Sequence, residues 1–320
     1  MVKAIGIRLK RLRQNTAALF MLIASCFCTY STFAQSKVIT DSFYSPSVQL
    51  KLKYTVVLPA NYQHSNQSYP VVYLLHGHTG NYTSWITYAK LPIELATQYN
   101  CIIILPDAGN SWYVNWTGQT DSKPHRWHDM VVKDLLPDAE TKYRITNKKS
   151  ERSIGGLSMG GYGALTIGLK NPHLFGFVFS SAGAIDFCQY IKEEFVKDTL
   201  DWNSPVLWSE DKKTVNSSHF STWKERTPQG LVFKTPGDAD AFDPYSLLEN
   251  TDSTLLPFIH IDCGNKDYHL KAAMRFTDAL KKKTNKYSLL IMPGNHDVPY
   301  WEQAVKYTFL NMQEQNVLNH

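Results

Sequence analysis

The sequence predicts an α/β protein whose central, mainly parallel sheet is covered by helices on both faces. Short apolar runs typical of buried strands alternate with segments in which apolar residues have a helical spacing. The strand-like runs are VVYLL (71–75), CIIIL (101–105), FGFVFS (175–180), FIHID (258–262) and YSLLIM (287–292). The helical patterns cover 84–98, 125–143, 160–170, 267–284 and 299–315. Such alternation predicts βαβ units and therefore parallel strands.

Two segments depart from this alternation. The run QLKLKYTVVLP (49–59) predicts a leading strand, which we expect to be antiparallel and at the sheet edge. Residues 186–254 are rich in Phe, Tyr and Trp and separate two strands by more than a crossover helix needs. Because ligands of open α/β sheets bind beyond the carboxyl ends of the strands, we expect this insertion near the active site, the alternative being that it packs elsewhere on the sheet.

Composition and charge exclude some classes of function. With 320 residues, of which 43% are hydrophobic, the chain can form one large domain. The formal net charge of +5 resides in the first thirteen residues, which hold five Lys and Arg and no acid. The rest of the chain is close to neutral, which argues against nucleic acid as a partner.

The basic start and the apolar run at 16–27 predict a secretory signal peptide, because the run is shorter than the roughly 20 residues that span a bilayer. Small residues favour cleavage after Ala34, so that 1–34 is the signal peptide and 35–320 a single exported domain, periplasmic or extracellular. Alternatively, IASC ending at Cys26 resembles a lipobox, which predicts a lipid-anchored protein on the outer membrane. A retained N-terminal helix is a third interpretation.

Three cysteines remain after the predicted cleavage: Cys101, Cys188 and Cys263. Their odd number and their position beside buried strands argue against a disulfide framework, and their spacing does not fit a metal site. The pair His125-x-x-His128 lacks a third ligand, so it predicts a solvated helix face. No metal or cofactor is predicted.

Five glycines surround one serine in SIGGLSMGGYGAL (153–165). A strand, ERSIGG, precedes this serine, Ser158, and a helix follows it, so that Gly156-Leu-Ser-Met-Gly160 fits the G-x-S-x-G nucleophile elbow in its required context. Side chains at 156 or 160 would crowd the neighbouring strand and helix. Ser158 is therefore the predicted nucleophile.

A serine nucleophile needs a base and an acid, which follow it in the order Asp or Glu, then His. His296 lies in a loop after the last strand and is the predicted base, whereas His260 lies within an apolar strand and is predicted to be a core residue. Asp262 ends that strand and Asp267 lies on the following loop. The loop position gives Asp267 the reach to the imidazole, so it is the predicted acid.

An oxyanion hole also requires N–H donors. The backbone N–H of Met159 is one predicted donor, and the loop after VVYLLHGHTG supplies the other from His78, or alternatively Thr79. Aromatic side chains follow two strands at the ligand end of the sheet and suit sugar rings or a hydroxycinnamoyl group, the alternative being that they belong to the core. These predicted substrate-binding residues are Trp85, Trp112, Tyr113 and Trp116.

Five motifs together resemble the esterase D-like family of α/β-hydrolases, which includes S-formylglutathione hydrolases, feruloyl and acetyl-xylan carbohydrate esterases, and mycolyltransferases. They are LLHGHTGNYTSW, PDAGNSWYVNW, GLSMGGYGAL, DCGNKD and PGNHDVPYW, and the resemblance runs from about residue 45 to the C-terminus. It implies an α/β-hydrolase fold in which Ser158, Asp267 and His296 fall on the family's nucleophile, acid and base. The residue after His76-Gly77 falls on its second oxyanion donor.

The expected function is a secreted serine esterase that acts on feruloyl or acetyl esters of carbohydrates or on small esters. The export signal argues against a cytosolic glutathione-thioester substrate. An acyltransferase of the mycolyltransferase type is the first alternative, since it differs only in whether water or an alcohol accepts the acyl group. An inactive carbohydrate-binding homologue is the second, and the complete predicted triad argues against it.

Overall fold

A mostly parallel sheet of eight strands forms the centre of the computed structural model, which describes residues 36–198, 203 and 230–318. The strands of this sheet are β1 (Lys37–Ser45), β2 (Leu50–Leu58), β3 (Val71–Leu75), β4 (Ile102–Pro106), β6 (Arg152–Leu157), β7 (Phe177–Ser181), β9 (Phe258–Gly264) and β10 (Tyr287–Met292). A separate ribbon pairs β5 (Gly118–Gln119) with β8 (Gly230–Leu231).

The strands lie in the order β1-β2-β4-β3-β6-β7-β9-β10. All neighbours from β4 to β10 are parallel, whereas β2 is antiparallel to both β4 and β1. The predicted parallel sheet and antiparallel leading strand are thus confirmed. The edge position predicted for 49–59 is wrong, because residues 37–45 form the outer strand β1 and pair with β2 along its full length.

Helices cover both faces of this sheet. They are α1 (Ser84–Ala89), α2 (Leu91–Gln98), α3 (Trp127–Asp129), α4 (Leu136–Lys142), α5 (Met159–Lys170), α6 (Phe187–Lys197), α7 (Pro236–Asp240), α8 (Pro244–Asn250), α9 (Leu270–Lys283) and α10 (Val298–Glu314). A π-helical segment (Met130–Leu135) joins α3 to α4. The single helix predicted over 84–98 is interrupted at Lys90, whose left-handed backbone (φ 48°) separates α1 from α2.

Side chains alternate between two cores, one on each face of the sheet. Val72 and Leu74 of β3 pack in the core beneath α1, α2 and α10. Val71, Tyr73 and Leu75 of the same strand pack in the other core, beneath α5, α6 and α9. Because successive residues of a strand point to opposite faces, a strand buried on both sides must be apolar throughout. This explains why the strands were recognisable as continuous apolar runs.

The three predicted core cysteines are confirmed as buried and free. The predicted signal peptide, its cleavage site and Cys26 lie outside the described residues, as does most of the 199–229 part of the insertion. Among the described residues, no helix combines the length and the apolar character needed to cross a membrane.

The contact between β6 and β7 leaves no room for a side chain at Gly155. A Cβ atom there would lie 2.1 Å from two ring carbons of Phe179, which is fully buried on β7. We expect Gly155→Ala to lower the free energy of unfolding by about 1–3 kcal/mol through overpacking. Denaturant titration measures the change.

Gly237 in α7 provides the control, because a Cβ there would meet only the Thr235 hydroxyl, at 3.8 Å. We expect Gly237→Ala to leave stability unchanged or to raise it slightly, since alanine favours helix. Equal loss of stability in both variants would contradict the packing argument.

Candidate active site

Ser158 lies on a sharp turn between β6 and α5, as the elbow motif predicts. Its backbone has φ 54° and ψ −118°, a conformation that is strained for a residue with a side chain. A Cβ atom at Gly156 would lie 2.5 Å from the carbonyl oxygen of Leu75, and one at Gly160 would lie 2.6 Å from that of His76. Both glycines are therefore required by the close approach of β3 to the turn.

Ser158, His296 and Asp267 form a continuous chain of hydrogen bonds. The Oγ atom of Ser158 lies 3.0 Å from Nε2 of His296, and Nδ1 of His296 lies 2.8 Å from Oδ2 of Asp267. An ionised carboxylate only accepts, so Nδ1 carries the proton and Nε2 can accept the one from Ser158. The Asp267 side chain is fully buried, and its Oδ1 accepts the backbone N–H of His269 at 2.8 Å.

The other candidate acid, Asp262, does not contact His296. Its Oδ1 accepts hydrogen bonds from the hydroxyls of Ser181 (2.6 Å) and Tyr300 (2.9 Å), and its side chain is fully buried. His260 is also buried, as predicted for a core residue, and its Nδ1 lies 2.7 Å from the Ser288 hydroxyl.

Three aromatic rings surround the imidazole of His296. The ring centroid of Tyr268 lies 4.6 Å away, that of Trp301 5.0 Å and that of His269 5.2 Å. Burial, together with the neighbouring His296, lowers the pKa of His269 to about 4, so its imidazole is neutral near pH 7. Of the two imidazoles, that of His296 has a nitrogen, Nε2, within hydrogen-bond distance of Ser158 Oγ.

The loop after β3 approaches Ser158 from the other side. A Cβ atom at Gly77 would lie 3.5 Å from Cβ of Ser158, which places the following residue, His78, beside the nucleophile. Met159 is the first residue of α5, so its N–H has no carbonyl within the helix to bond. The Thr79 N–H, the alternative second donor, already donates to Oδ1 of Asn110 at 2.7 Å.

His76 fixes this loop against the segment that follows β4. Its Nε2 accepts the backbone N–H of Ala108 at 3.1 Å, so Nδ1 carries the proton and donates to the Gly77 carbonyl at 2.8 Å. Burial lowers the pKa of His76 to about 4, which keeps this ring neutral. Sequence reasoning missed both His76 and Asn110, although each lies just beyond the carboxyl end of a strand.

The four aromatic residues predicted to bind substrate are instead buried supports of this loop. Trp85, Trp112 and Trp116 are 3–4% exposed and Tyr113 is 0% exposed. Trp85 donates its indole N–H to the Leu75 carbonyl, and Trp116 donates to Ser111. The Tyr113 hydroxyl donates to the carbonyl of His76 at 3.1 Å. Their burial and these hydrogen bonds show a structural role, and direct stacking on a substrate stays a prediction.

Trp112 joins this support to the insertion. Its ring stacks on Phe187 of α6 with centroids 3.6 Å apart, and its centroid lies 6.0 Å from that of His78. The start of the predicted insertion thus packs behind the loop that carries His78. Trp112 and Tyr113 both have left-handed backbones, with φ 59° and 57°.

His125 and His128 are buried, so the predicted solvated helix face is wrong. Nε2 of His125 lies 2.7 Å from Asp121, while Nε2 of His128 lies 3.0 Å from the amide of Asn171. These partners compensate for burial of the two rings. Within the described ranges, no three His, Cys, Asp or Glu side chains are grouped as a metal site would require.

Comparisons with known proteins agree with this fold. A family model described as "Putative esterase" matches residues 45–310. The acetyl esterase of Caldicellulosiruptor saccharolyticus is 24% identical over 277 residues, which cover 84% of this chain and 95% of that protein.

Solved structures show the same α/β-hydrolase fold. The Staphylococcus aureus fluorophosphonate-binding serine hydrolase F superposes with a TM-score of 0.66 at 21% identity, covering 89% of this chain and all of that one. A ferulic acid esterase superposes with a TM-score of 0.64 at 21% identity, covering 89% and 99%. The predicted α/β-hydrolase fold is confirmed.

The Asn110 side chain offers a test of the loop geometry. It is buried and holds the left-handed Thr79 (φ 66°) through a single acceptor oxygen. We expect Asn110→Ala to lower kcat for ester hydrolysis by about 10²-fold, because small misplacements of a catalytic donor have effects of that size. Steady-state kinetics on a p-nitrophenyl ester measure the loss.

Asn110→Asp keeps an acceptor oxygen at the same place, so we expect it to retain most of the activity that Asn110→Ala loses. If Asn110→Ala is fully active, the contact to Thr79 does not hold the loop in its working position.

Proposed function

Because this chain belongs to the esterase family whose model matches residues 45–310, we propose that it hydrolyses carboxylic esters through an acyl-enzyme on Ser158. The observation that supports this most directly is the unbroken path Ser158–His296–Asp267, with contacts of 3.0 and 2.8 Å. A serine hydroxyl is a weak nucleophile by itself, and an adjacent base oriented by a carboxylate activates it.

In the proposed first step, Ser158 Oγ attacks the ester carbonyl carbon while Nε2 of His296 takes the hydroxyl proton. The imidazole becomes a cation, and the buried carboxylate of Asp267 stabilises that charge across the 2.8 Å contact. Because the backbone N–H of His269 occupies the other oxygen of Asp267, the carboxylate is held in one orientation. Asp267 acts as the acid that fixes the tautomer of His296.

The carbonyl oxygen becomes an oxyanion in this step and requires donors. We assign this role to the backbone N–H groups of Met159 and His78. The Met159 N–H also lies at the positive end of the α5 dipole, which favours a developing negative charge. The rigid supports at His76 and Tyr113 keep the His78 loop in place before substrate binds, so little reorganisation is needed during reaction.

Collapse of the tetrahedral intermediate breaks the bond to the alcohol, which leaves with the proton from His296. Water then attacks the acyl-serine, with the same imidazole taking its proton, and the second collapse releases the carboxylic acid and restores the Ser158 hydroxyl. If an alcohol replaces water, the same steps transfer the acyl group. Products, rather than the triad, therefore distinguish hydrolysis from acyl transfer.

For the substrate, we propose acetyl or feruloyl esters of carbohydrates, or small esters of the same acids. A relative that aligns with most of this chain is named as an acetyl esterase, and a structure of the same fold is a ferulic acid esterase. Export, which the first 34 residues predict, would bring the enzyme to such polymers.

A substrate panel tests the proposed activity and its specificity. We expect release of acid from p-nitrophenyl acetate, from methyl ferulate or from acetylated xylan, with Ser158→Ala at least 10³-fold slower on each. A fluorophosphonate probe should label the wild-type protein at Ser158 and leave Ser158→Ala unlabelled, as mass spectrometry of the digest will show. Equal activity of the two proteins would contradict the mechanism, and ester products with an added sugar would indicate acyl transfer.

The role of Asp267 is tested by replacing its charge alone. Asp267→Asn preserves shape but removes the carboxylate that sets the tautomer of His296, so we expect kcat to fall by ~10³–10⁴ while the thermal midpoint changes little. Asp297→Asn is the matched control, because Asp297 caps α10 at the Tyr300 N–H and asparagine caps equally well. Similar kcat values for the two variants would exclude Asp267 as the acid.

A further inference from the structure

A second carboxyl–imidazole pair lies beneath the triad and has no part in the proposed mechanism. Asp262 and His260 are both on β9, two residues apart, so their side chains point to the same face. Both are buried, and Oδ2 of Asp262 lies 3.7 Å from Nε2 of His260. At this distance the two atoms are not hydrogen-bonded, and neither has a hydrogen-bond partner elsewhere.

The other contacts of Asp262 and His260 limit where the protons of the carboxyl group and the imidazole can lie. Oδ1 of Asp262 already accepts two hydroxyl protons, from Ser181 and Tyr300. Nδ1 of His260 lies 2.7 Å from the Ser288 hydroxyl, which can accept the Nδ1 proton; in that tautomer Nε2 is an acceptor. A proton on Oδ2 would face that acceptor, whereas a bare carboxylate oxygen there would face a lone pair.

Electrostatics point the same way. Burial raises the pKa of Asp262 to about 7, with the hydroxyls of Ser181 and Tyr300 lowering it and the charge of Asp267 adding to the rise. Burial also lowers the pKa of His260 to about 4. Over the interval between these values both groups are neutral. A buried carboxylate with hydroxyl donors on only one of its oxygens costs more than a neutral acid at the same place.

Asp262 also connects the segments that carry the triad. Ser181, at the end of β7, accepts the backbone N–H of Ser158 on its carbonyl at 3.0 Å. Tyr300, in the first turn of α10, packs against Gly294. A Cβ atom added to Gly294 would lie 2.6 Å from the Tyr300 ring. The Asp262 carboxyl group is therefore hydrogen-bonded to one residue behind the nucleophile and to one residue behind the loop of His296.

We propose that Asp262 is a neutral carboxylic acid in the folded protein, that it donates its proton toward His260, and that it positions the Ser158 turn and the His296 loop relative to each other. The positioning part rests on the proposed function, whereas the protonation part does not. Asp262 is thus a positioning residue with no contact to substrate.

Asp262→Asn tests the protonation, because an amide reproduces the neutral acid: its oxygen accepts from Ser181 and Tyr300, and its NH₂ donates toward His260. Folding raises the pKa of this carboxyl group. Its contribution to stability is therefore complete at pH values below the pKa in the unfolded chain, and it is lost as the pH rises to the pKa in the folded protein. The thermal midpoint of Asp262→Asn relative to wild type should therefore rise from about pH 4 to about pH 7 and be flat on either side.

Difference infrared spectra at pH 5.5 should also show the carbonyl stretch of a buried protonated carboxyl group in wild type and lose it in Asp262→Asn. Parallel stability curves and no such band would overturn the proposal. Neither readout depends on enzymatic activity.

Tyr300→Phe tests the positioning. It removes one hydrogen bond to Asp262 while keeping the ring against Gly294, so we expect kcat to fall about tenfold with KM unchanged. Asp262→Asn keeps an oxygen that accepts from Ser181 and Tyr300, so it should lower kcat less than Tyr300→Phe does.

Tyr54→Phe is the control, because Tyr54 is equally buried and donates to a carboxylate, Asp138, but lies on β2. It should keep kcat even if it loses similar stability. Equal kcat values for Tyr300→Phe and Tyr54→Phe would overturn the positioning role. If wild-type protein is inactive but gives the expected stability curves, only the proposed esterase activity is contradicted.

Discussion

The active site depends on one steric constraint, the close approach of β3 to the turn between β6 and α5. The carbonyl oxygens of Leu75 and His76 occupy the positions that side chains at 156 and 160 would fill. With glycine at both places, the chain can turn within a few residues from a central strand into the N-terminus of a helix. The Ser158 side chain then lies at the carboxyl end of the central strand β6, and the loop that continues from β3 lies beside it.

The strained backbone of this turn is held by its neighbours. The Ser158 N–H donates to the Ser181 carbonyl at 3.0 Å, and the Ser158 carbonyl accepts from Ala184 at 3.1 Å. Residues with positive φ elsewhere around the site, including Thr79 and Trp112, are similarly bonded or packed. Conformations of this kind persist only where the surrounding structure determines them. The rigidity of the site thus comes from strand ends and loops together.

The fold was largely predictable, because strands buried on both faces are continuous apolar runs and the elbow has a fixed motif. Local patterns could not reveal the edge strand β1, whose alternation is weak, nor the break at Lys90. The order of Ser158, Asp267 and His296 was available from the sequence, and their contacts were not. The structural role of the aromatic residues was not predictable, because a tryptophan after a strand looks the same in sequence whether its ring meets a substrate or its N–H meets a carbonyl. Only tertiary packing distinguishes the two.

The parallel sheet also determines when the site can be complete. The nucleophile lies after β6, whereas His296 comes after β10, the outermost strand on that side, 138 residues later. The helix that follows, α10, then packs its Val305 and Phe309 into the same core as Leu95 of α2. A ribosome therefore produces the serine and the loop from β3 well before the base that activates them. The growing chain has the nucleophile without its proton acceptor until β10 and α10 join the sheet. The catalytic residues are therefore complete at the same time as the core beneath α1, α2 and α10.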